Sequence, residues 1–324
     1  MPGCAADYHR GVCRRACTLL ITTLPLVLVS GMAPRDATAA KPAQPEKHGI
    51  VVAVSPPGAD TGRDILKKGG NAVDAAVATA FAMAVTYPAA GNIGGGGFML
   101  IHPADGKSAP ILIDYREKAP RAAHKTMFTK EDTWYSVKAV GVPGTVRGLA
   151  LAHAKFGKLP WKQLVMPAVK LAEDGFVIDA ALAGSLNWIV DGSPEHPELR
   201  RVFGKAGGAD WEAGDRLIQK DLAKTLRLIA DKGPDGFYKG TVAEMFAAEM
   251  KRDGGLITTA DLAAYEAKAR QPIHGTYRGY DVYGPPPPSS GGTCLVEMLN
   301  ILENFDLRKQ GRFSTETLHV MIET

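Results

Sequence analysis

The stretch Gly91-Asn92-Ile93-Gly94-Gly95-Gly96-Gly97-Phe98 decides how this chain is built, since it places four adjacent glycines inside otherwise ordinary globular sequence. Glycine loses more backbone freedom on folding than any other residue, so such a run requires either positive φ angles or the close approach of another part of the chain. An alanine-rich apolar segment precedes the run, and a second apolar segment, 111–116, follows it. The run therefore predicts a crowded junction between a helix and strands.

A buried helix is predicted immediately before the glycine run. Residues 72–85 are apolar on every helical face, which is the pattern of a helix packed on all sides. Asn71 is a favourable N-cap, and Asp74 places a negative charge in the first turn, where the helix dipole favours it. Gly69-Gly70 ends a shorter predicted helix at 61–68.

Strands are predicted on both sides of this helical region. Residues 98–102 and 111–116 predict a hairpin with Asp105-Gly106 at the tip of its turn. The apolar residues 50–54 predict a buried strand at the start of the folded region. A further strand pair is predicted near 271–283, ahead of a proline-rich segment.

Helical patterns fill most of the remaining sequence, and proline and glycine separate them. The predicted helices cover 146–156, 161–172, 178–189, 221–231, 242–250, 259–265 and 293–305. A last helix begins at Ser314 and continues to Thr324 without a stop signal. We therefore expect the chain to be cut short at this end.

The first 39 residues have the layout of a secretory signal peptide. Three arginines precede the apolar run 19–29, and the small-x-small site Ala37-Thr38-Ala39 follows it. A membrane anchor is the alternative, but Pro25 interrupts the run, which falls short of the roughly 20 residues that cross a bilayer. We expect export to the periplasm or the medium, cleavage after Ala39, and no membrane anchor after cleavage.

The expected organisation has three parts: a signal peptide at 1–39, a linker at 40–48 and one folded region at 49–324. The whole chain has 38 basic and 34 acidic residues, a formal net charge of +4. Loss of the leader removes four basic and two acidic residues, which leaves 34 against 32 and a net charge of +2. A nearly neutral chain without a basic block argues against nucleic acid as a partner.

Cys294 is the one cysteine outside the leader, because the other three of the four lie within residues 1–39. A lone cysteine forms no internal disulfide. It lies in an apolar helical pattern, which predicts a buried structural thiol, with a reactive nucleophile as the alternative.

Several common kinds of site are absent from the sequence. The glycine run follows a helix and leads into a strand, the reverse of a phosphate-binding loop. Gly106-Lys107-Ser108 resembles the end of a P-loop, but Ile101 stands where glycine is required. The histidines have no metal-ligand spacing, and no Gly-x-Ser-x-Gly motif occurs. We expect neither a metal nor a cofactor.

Arg116 is the candidate binding residue. With a period of two it shares a strand face with Asp114 and Leu112, at the end of the predicted strand and close to the glycine run. Its guanidinium is a planar fork suited to bidentate capture of a carboxylate. The alternative is an ion pair with Asp114 or Glu117, and spacing alone leaves both possibilities open.

Six ordered blocks resemble the large subunit of gamma-glutamyltranspeptidase. The resemblance runs in register from about Gly49 to Thr324, and six blocks at the family's spacing are a specific signal. The blocks are Gly69-Gly70-Asn71-Ala72-Val73-Asp74-Ala75-Ala76, Gly91-Asn92-Ile93-Gly94-Gly95-Gly96-Gly97-Phe98-Met99, Asp114-Tyr115-Arg116-Glu117-Lys118-Ala119-Pro120, Val142-Pro143-Gly144-Thr145-Val146, Gly254-Gly255-Leu256-Ile257-Thr258 and Pro286-Pro287-Pro288-Ser289-Ser290-Gly291-Gly292.

The resemblance implies an α+β fold, the four-layer αββα sandwich of the N-terminal nucleophile hydrolases, of which this chain holds the large-subunit part only. Such a precursor cuts itself before a threonine, whose hydroxyl then attacks the gamma-glutamyl amide of glutathione and related compounds. The acyl group passes to water or to an amino-acid or peptide acceptor. The implied partner is the small subunit of the same precursor, and Arg116 matches the arginine that holds the donor's α-carboxylate.

One feature of the family is missing from the sequence. No Thr-Thr-His-like processing motif occurs, and Thr258-Thr259-Ala260 lacks the histidine. We therefore expect this chain alone to be inactive, with no catalytic residue of its own. Two alternatives stay open: an amidohydrolase like the cephalosporin acylases, and a catalytically inactive truncated remnant.

Overall fold

Residues 49–132, 136–194 and 196–324 are described by the computed structural model of the chain. The α-helices are, in chain order, α1 Pro56–Lys67, α2 Ala72–Thr86, α3 Thr145–Phe156, α4 Trp161–Asp174, α5 Ala180–Asp191, α6 Pro197–Phe203, α7 Lys220–Lys232, α8 Asp235–Tyr238, α9 Thr241–Arg252, α10 Thr259–Ala264, α11 Ser290–Leu302, α12 Leu307–Gln310 and α13 Thr315–Glu323. The strands are β1 Phe98–Ile101, β2 Ile111–Asp114, β3 Phe176–Val177, β4 Arg216–Leu217, β5 Lys268–Arg270, β6 Ile273–Tyr277 and β7 Tyr280–Gly284. No helix within these ranges has the length and apolarity needed to cross a membrane.

The strands of the described ranges form small antiparallel sheets. One sheet has the order β1-β2-β5, and β3 pairs with β4 and β6 with β7. β1 and β2 are the predicted hairpin, with Phe98 opposite Asp114. Asp105 closes its turn by accepting the N–H groups of Lys107 (3.0 Å) and Ser108 (2.8 Å). Together with the Ser108 hydroxyl, which contributes most, these hydrogen bonds lower the pKa of Asp105 to about 2.

The core forms around α2, as its apolar sequence predicts. α2 packs against α1 and α4, and α4 packs against α7. Val77, Phe81 and Val85 of α2 are fully buried, and the Phe81 ring meets Trp161 edge-on with 5.4 Å between ring centroids. Because burying one such side chain contributes about 1.5–3 kcal/mol, this helix is a principal source of stability.

Asp74 links the start of α2 to the loop that follows α3. Asn71 and Asp74 form a capping box, which confirms the predicted N-cap. The Asp74 carboxylate is fully buried and also accepts the N–H groups of Lys158 (3.0 Å) and Leu159 (3.2 Å). The predicted end of α1 is confirmed as well, since Gly69 follows it with a φ of 86°.

The predicted buried strand at 50–54 is wrong. In the part of the chain that the structure describes, this segment has no strand partner. The side chains of Ile50, Val52 and Val54 are 77%, 84% and 68% exposed, while the residues between them are half-buried. An apolar run shows which residues favour burial, but it does not supply the surface that covers them.

The prediction that Cys294 is buried is also wrong. Its apolar pattern does form a helix, α11, which packs on β6 and β7. The thiol lies on the uncovered side and is exposed. Leu295, Met298 and Ile301 of the same helix are 40%, 38% and 42% exposed, so α11 has an apolar surface facing outward.

The predicted helices are present within a few residues of their expected ends, but several short elements are missed. These are α6, α8, α12, β3, β4 and β5, which run from two to seven residues. So short a segment contains too little periodicity to be recognised. The omission of β5 matters most, because its pairing with β2 brings distant residues to Arg116.

Candidate active site

The glycine run lies in the crowded place that its sequence predicts. A Cβ on Gly91 would lie 2.1 Å from the Met83 carbonyl oxygen, and one on Gly96 would lie 2.5 Å from that of Tyr115. The φ angles of these glycines are outside the left-handed region, so close approach is the reason for glycine here. Gly94 differs, because a Cβ there would meet no atom within 4 Å.

The same run makes hydrogen bonds to the N-terminal end of α3. The Gly95 carbonyl oxygen accepts the N–H groups of Gly144 (2.7 Å) and Thr145 (3.1 Å). The Thr145 hydroxyl donates to Asn92 Oδ1 at 2.6 Å. The run thereby ties α3 to the segment after β2, which it touches through Gly96.

Arg116 lies just beyond β2, which corrects the predicted strand 111–116. The strand ends at Asp114, and side chains hold the Arg116 main chain in place of strand neighbours. Its N–H donates to Asp114 Oδ1 at 3.0 Å, and its carbonyl oxygen accepts the Tyr265 hydroxyl at 2.8 Å. The Arg116 side chain itself is 56% exposed.

Glu117 is the ion-pair partner of Arg116. Nη1 of Arg116 lies 2.8 Å from Glu117 Oε2, whereas Asp114 pairs with Arg270 at 2.7 Å. The ion pair that the sequence offers as the alternative role of Arg116 is therefore present, and its acidic partner is Glu117. Within the described ranges, Nε and Nη2 of Arg116 have no hydrogen-bond partner. A guanidinium that uses one nitrogen in an ion pair and has two other nitrogens without partners can still bind a carboxylate.

Two glycines leave room for the Glu117 side chain. A Cβ on Gly96 would lie 2.8 Å from Glu117 Oε2, and a Cβ on Gly141 would lie 2.7 Å from Glu117 Cβ. Lys118 and Val142 exchange main-chain hydrogen bonds next to these contacts. The glycines thus allow the Glu117 carboxylate to reach the guanidinium.

A groove of about 460 Å³ runs beside Arg116. Its apolar wall includes Pro120, Met127, Phe128 and Val140. Two lysines of its lining are engaged: Lys138 Nζ lies 2.9 Å from Asp132 Oδ2, and Lys118 Nζ donates to the Glu266 carbonyl oxygen at 2.8 Å. Arg116 also has a partner, Glu117, but its Nε and Nη2 leave a planar pair of donors that a lysine does not offer to an anionic group.

The protonation states of the surrounding groups follow from burial and hydrogen bonding. Burial raises the pKa of Tyr115 to about 12 and also raises the pKa of Tyr265, so both hydroxyls remain protonated donors at neutral pH. The Thr129 N–H and then Lys138 hold the pKa of Asp132 below its usual range. The Asp132 carboxylate is therefore ionised at neutral pH.

The arrangement can orient a carboxylate, but the groups named above carry out no bond cleavage themselves. In the portions of the chain that the structure describes, no group of three or more His, Cys, Asp or Glu side chains could hold a metal ion. Sequence reasoning finds Arg116 and names Glu117 as a partner. It misses Tyr265, which is 149 residues away from Arg116 in the chain.

Comparison with solved structures defines the class of the fold. A gamma-glutamyltranspeptidase from Helicobacter pylori matches with a TM-score of 0.83 and 42% identity, over 87% of this chain and 82% of that one. A cephalosporin acylase from Bacillus halodurans matches with a TM-score of 0.78 and 30% identity, over 90% of this chain and 55% of that one. Both are N-terminal nucleophile hydrolases, which confirms the predicted α+β class.

Comparison of sequences then identifies the family. The family described as Gamma-glutamyltranspeptidase matches residues 58–324. The glutathione hydrolase proenzyme of Escherichia coli K12 is 50% identical over 285 residues, which are 86% of this chain and 49% of that relative. This chain belongs to the gamma-glutamyltranspeptidase family, as the six blocks indicate. It spans about half the length of the curated relatives it matches.

Proposed function

We propose that this chain is the large-subunit region of an enzyme that cleaves the gamma-glutamyl amide of glutathione and passes the acyl group to water, amino acids or peptides. Its family and the name of its relative, glutathione hydrolase proenzyme, support this function. No Thr-Thr-His-like processing motif is present among the 324 residues. In this proposal the segment supplies binding groups, and the threonine nucleophile belongs to another part of the precursor.

Arg116 is the proposed binding residue for the donor's α-carboxylate. The observation that carries this assignment is its guanidinium, half-exposed beside the groove, with Nη1 on Glu117 and its other donors open within the described ranges. An α-carboxylate distinguishes a gamma-glutamyl donor from an acyl donor that lacks the amino-acid end. A planar fork at this point therefore favours amino-acid donors.

The small subunit of the same precursor is the proposed partner. The segment 50–54 and the helices α11 and α13 expose apolar side chains, including Met321 at 57% and Ile322 at 79%. Exposed apolar surfaces of this kind mark sites of association. Export to the periplasm or the medium is also proposed, and the signal peptide on which it depends lies at 1–39, outside the described residues.

The proposal is tested on the complete polypeptide. The coding DNA on both sides of the segment is read, the whole frame is expressed, and glutathione cleavage and acyl transfer to a dipeptide are measured. Arg116→Lys should raise the donor KM by about 10-fold or more, because a point charge replaces a bidentate fork, and should leave the acceptor KM unchanged. Arg63→Lys on α1, where Arg63 pairs with Asp60, is the matched control.

Each alternative has its own outcome in this experiment. An unchanged donor KM in Arg116→Lys, together with preference for acyl donors without an α-carboxylate, would favour a function like that of the cephalosporin acylase. A frame that encodes no processing motif would favour an inactive remnant.

A further inference from the structure

We infer that Tyr265 is a positioning residue for Arg116, an inference that rests on the proposed function of Arg116 in donor binding. The Tyr265 hydroxyl donates to the Arg116 carbonyl oxygen at 2.8 Å. Arg116 lies two residues past the end of β2, so no ladder of strand hydrogen bonds holds it. The Tyr265 hydroxyl supplies the main-chain hydrogen bond that the sheet does not.

Tyr265 is itself held rigidly. It directly follows α10 and is 3% exposed. Its ring stacks on Tyr238 with 6.1 Å between centroids and 12° between planes, and Lys118 Nζ lies 4.8 Å from its ring centroid. A side chain so enclosed has one orientation for its hydroxyl oxygen, which makes it suitable for fixing another residue.

The segment 258–270 is hydrogen-bonded to the segment 114–121 at several points, and the hydrogen bond from Tyr265 reaches Arg116. The other contacts are Asp261 Oδ1 with the Arg121 N–H (3.0 Å), the Glu266 carbonyl oxygen with Lys118 Nζ (2.8 Å), and Arg270 Nη1 with Asp114 Oδ2 (2.7 Å). Because these contacts lie on either side of Arg116, loss of the Tyr265 hydroxyl would loosen Arg116 without detaching the segment.

Gly144 provides the space that the Tyr265 hydroxyl occupies. A Cβ on Gly144 would lie 2.2 Å from Tyr265 Oη and 2.0 Å from the Tyr115 carbonyl oxygen. Gly144 is fixed in turn by its hydrogen bond to Gly95 at 2.7 Å. Three distant parts of the chain, the glycine run, the start of α3 and the end of α10, therefore meet at the backbone next to Arg116.

The position of this backbone matters for binding because a guanidinium captures a carboxylate bidentately only in the right orientation. Tyr265→Phe removes one hydroxyl and keeps the ring, its stacking and its burial. The loss would therefore act on donor binding through Arg116.

The experiment compares Tyr265→Phe with Thr86→Val in the complete precursor. Both changes remove a buried hydroxyl, but that of Thr86 lies at the end of α2 and donates to the Ala82 carbonyl oxygen, at 3.0 Å. We expect Tyr265→Phe to raise the donor KM about 3- to 10-fold with kcat within about two-fold, as for loss of one hydrogen bond. Thr86→Val should lower the melting temperature comparably and leave the donor KM unchanged.

A second measurement separates positioning from general stabilisation. In an Arg116→Ala background, Tyr265→Phe should have no further effect on the donor KM, because its action passes through Arg116. A butyryl anilide donor, which lacks the α-amino and α-carboxylate groups, should be insensitive to Tyr265→Phe. An effect of equal size in the Arg116→Ala background, or an equal rise in KM for Thr86→Val, would overturn the inference.

The results also distinguish this inference from the proposed function. If Arg116→Ala raises the donor KM and Tyr265→Phe does not, Tyr265 is not a positioning residue and the role of Arg116 stands. If Arg116→Ala leaves the donor KM unchanged, the proposed role of Arg116 fails and the inference about Tyr265 fails with it.

Discussion

Arg116 and Glu117 are neighbours in the chain, yet the glycines that accommodate them come from separate segments. Gly96 belongs to the glycine run, Gly141 precedes α3, and a Cβ on either would collide with Glu117. Glycine is required at these positions by close contact and not by a left-handed φ angle. The glycine run is therefore a support for the candidate site, and the group with binding chemistry lies about twenty residues further along.

Two glycines of the same run should differ in their response to alanine. Gly96→Ala should destabilise the protein by about 1–3 kcal/mol, since the new methyl group would displace Glu117 or the Tyr115 carbonyl. It should also raise the donor KM. Gly94→Ala, at an open position, should change the free energy of unfolding by less than about 0.5 kcal/mol. Denaturant unfolding and donor kinetics check both, and equal effects at the two positions would contradict the argument.

Among the elements, α2 is held by the hydrogen bonds of Asp74, and only the local ones can be read from the sequence of the helix. The capping box of Asn71 and Asp74 is local and is readable from spacing. The same carboxylate also accepts two N–H groups from Lys158 and Leu159, more than eighty residues away. A single buried side chain thus fixes both the start of the core helix and the connection after α3.

Asp74→Asn should be costly for this reason. Both carboxylate oxygens accept N–H groups, and an amide would turn an NH₂ group towards at least one of these donors. The expected loss is about 2–4 kcal/mol of unfolding free energy, because a buried charged hydrogen-bond acceptor is removed. Asp179→Asn is the control, since among the described residues Asp179 accepts the Leu182 N–H alone, at the start of α5, and asparagine caps helices equally well. Thermal melting of the two variants would show the difference, and similar losses would count against it.

At the scale of the whole molecule, two apolar surfaces of the described residues lack a cover. The segment 50–54 alternates exposed and half-buried residues, as a strand does when only one of its faces is packed. α11 likewise packs on β6 and β7 and exposes Leu295 and Met298 on its other side. These surfaces account for both sequence predictions of burial that the structure contradicts.

Substitutions in the segment 50–54 should have different effects in two contexts. In residues 49–324 expressed alone, Val52→Lys with Val54→Lys should reduce self-association, because charged residues on an exposed edge oppose pairing with another chain. In the complete precursor the same pair of changes should impair processing and lower stability, because the small subunit is proposed to cover this segment. Size-exclusion chromatography with light scattering and the extent of self-cleavage measure the two effects. A segment that is monomeric and unaffected by the substitutions would refute this account.

The sequence by itself determined those features that depend on neighbours in the chain. The apolar faces of α2, its capping box, the Asp105 turn and the six family blocks are all encoded within short windows, where periodicity and turn chemistry act. Arg116 is also one of these features, because the resemblance of the block 114–120 to the family points to it.

Only the tertiary structure decided what surrounds Arg116 and what remains uncovered. The hydrogen bond from Tyr265 joins two residues that are 149 positions apart in the chain. The pairing of β5 with β2 brings the segment of Tyr265 towards Arg116, and β5 is a strand of three residues. Contacts at such distances leave no periodic trace in the sequence. The exposure of 50–54 and of Cys294 was equally inaccessible, because an apolar pattern states that burial is favourable, and only the packed chain shows whether a covering surface is there.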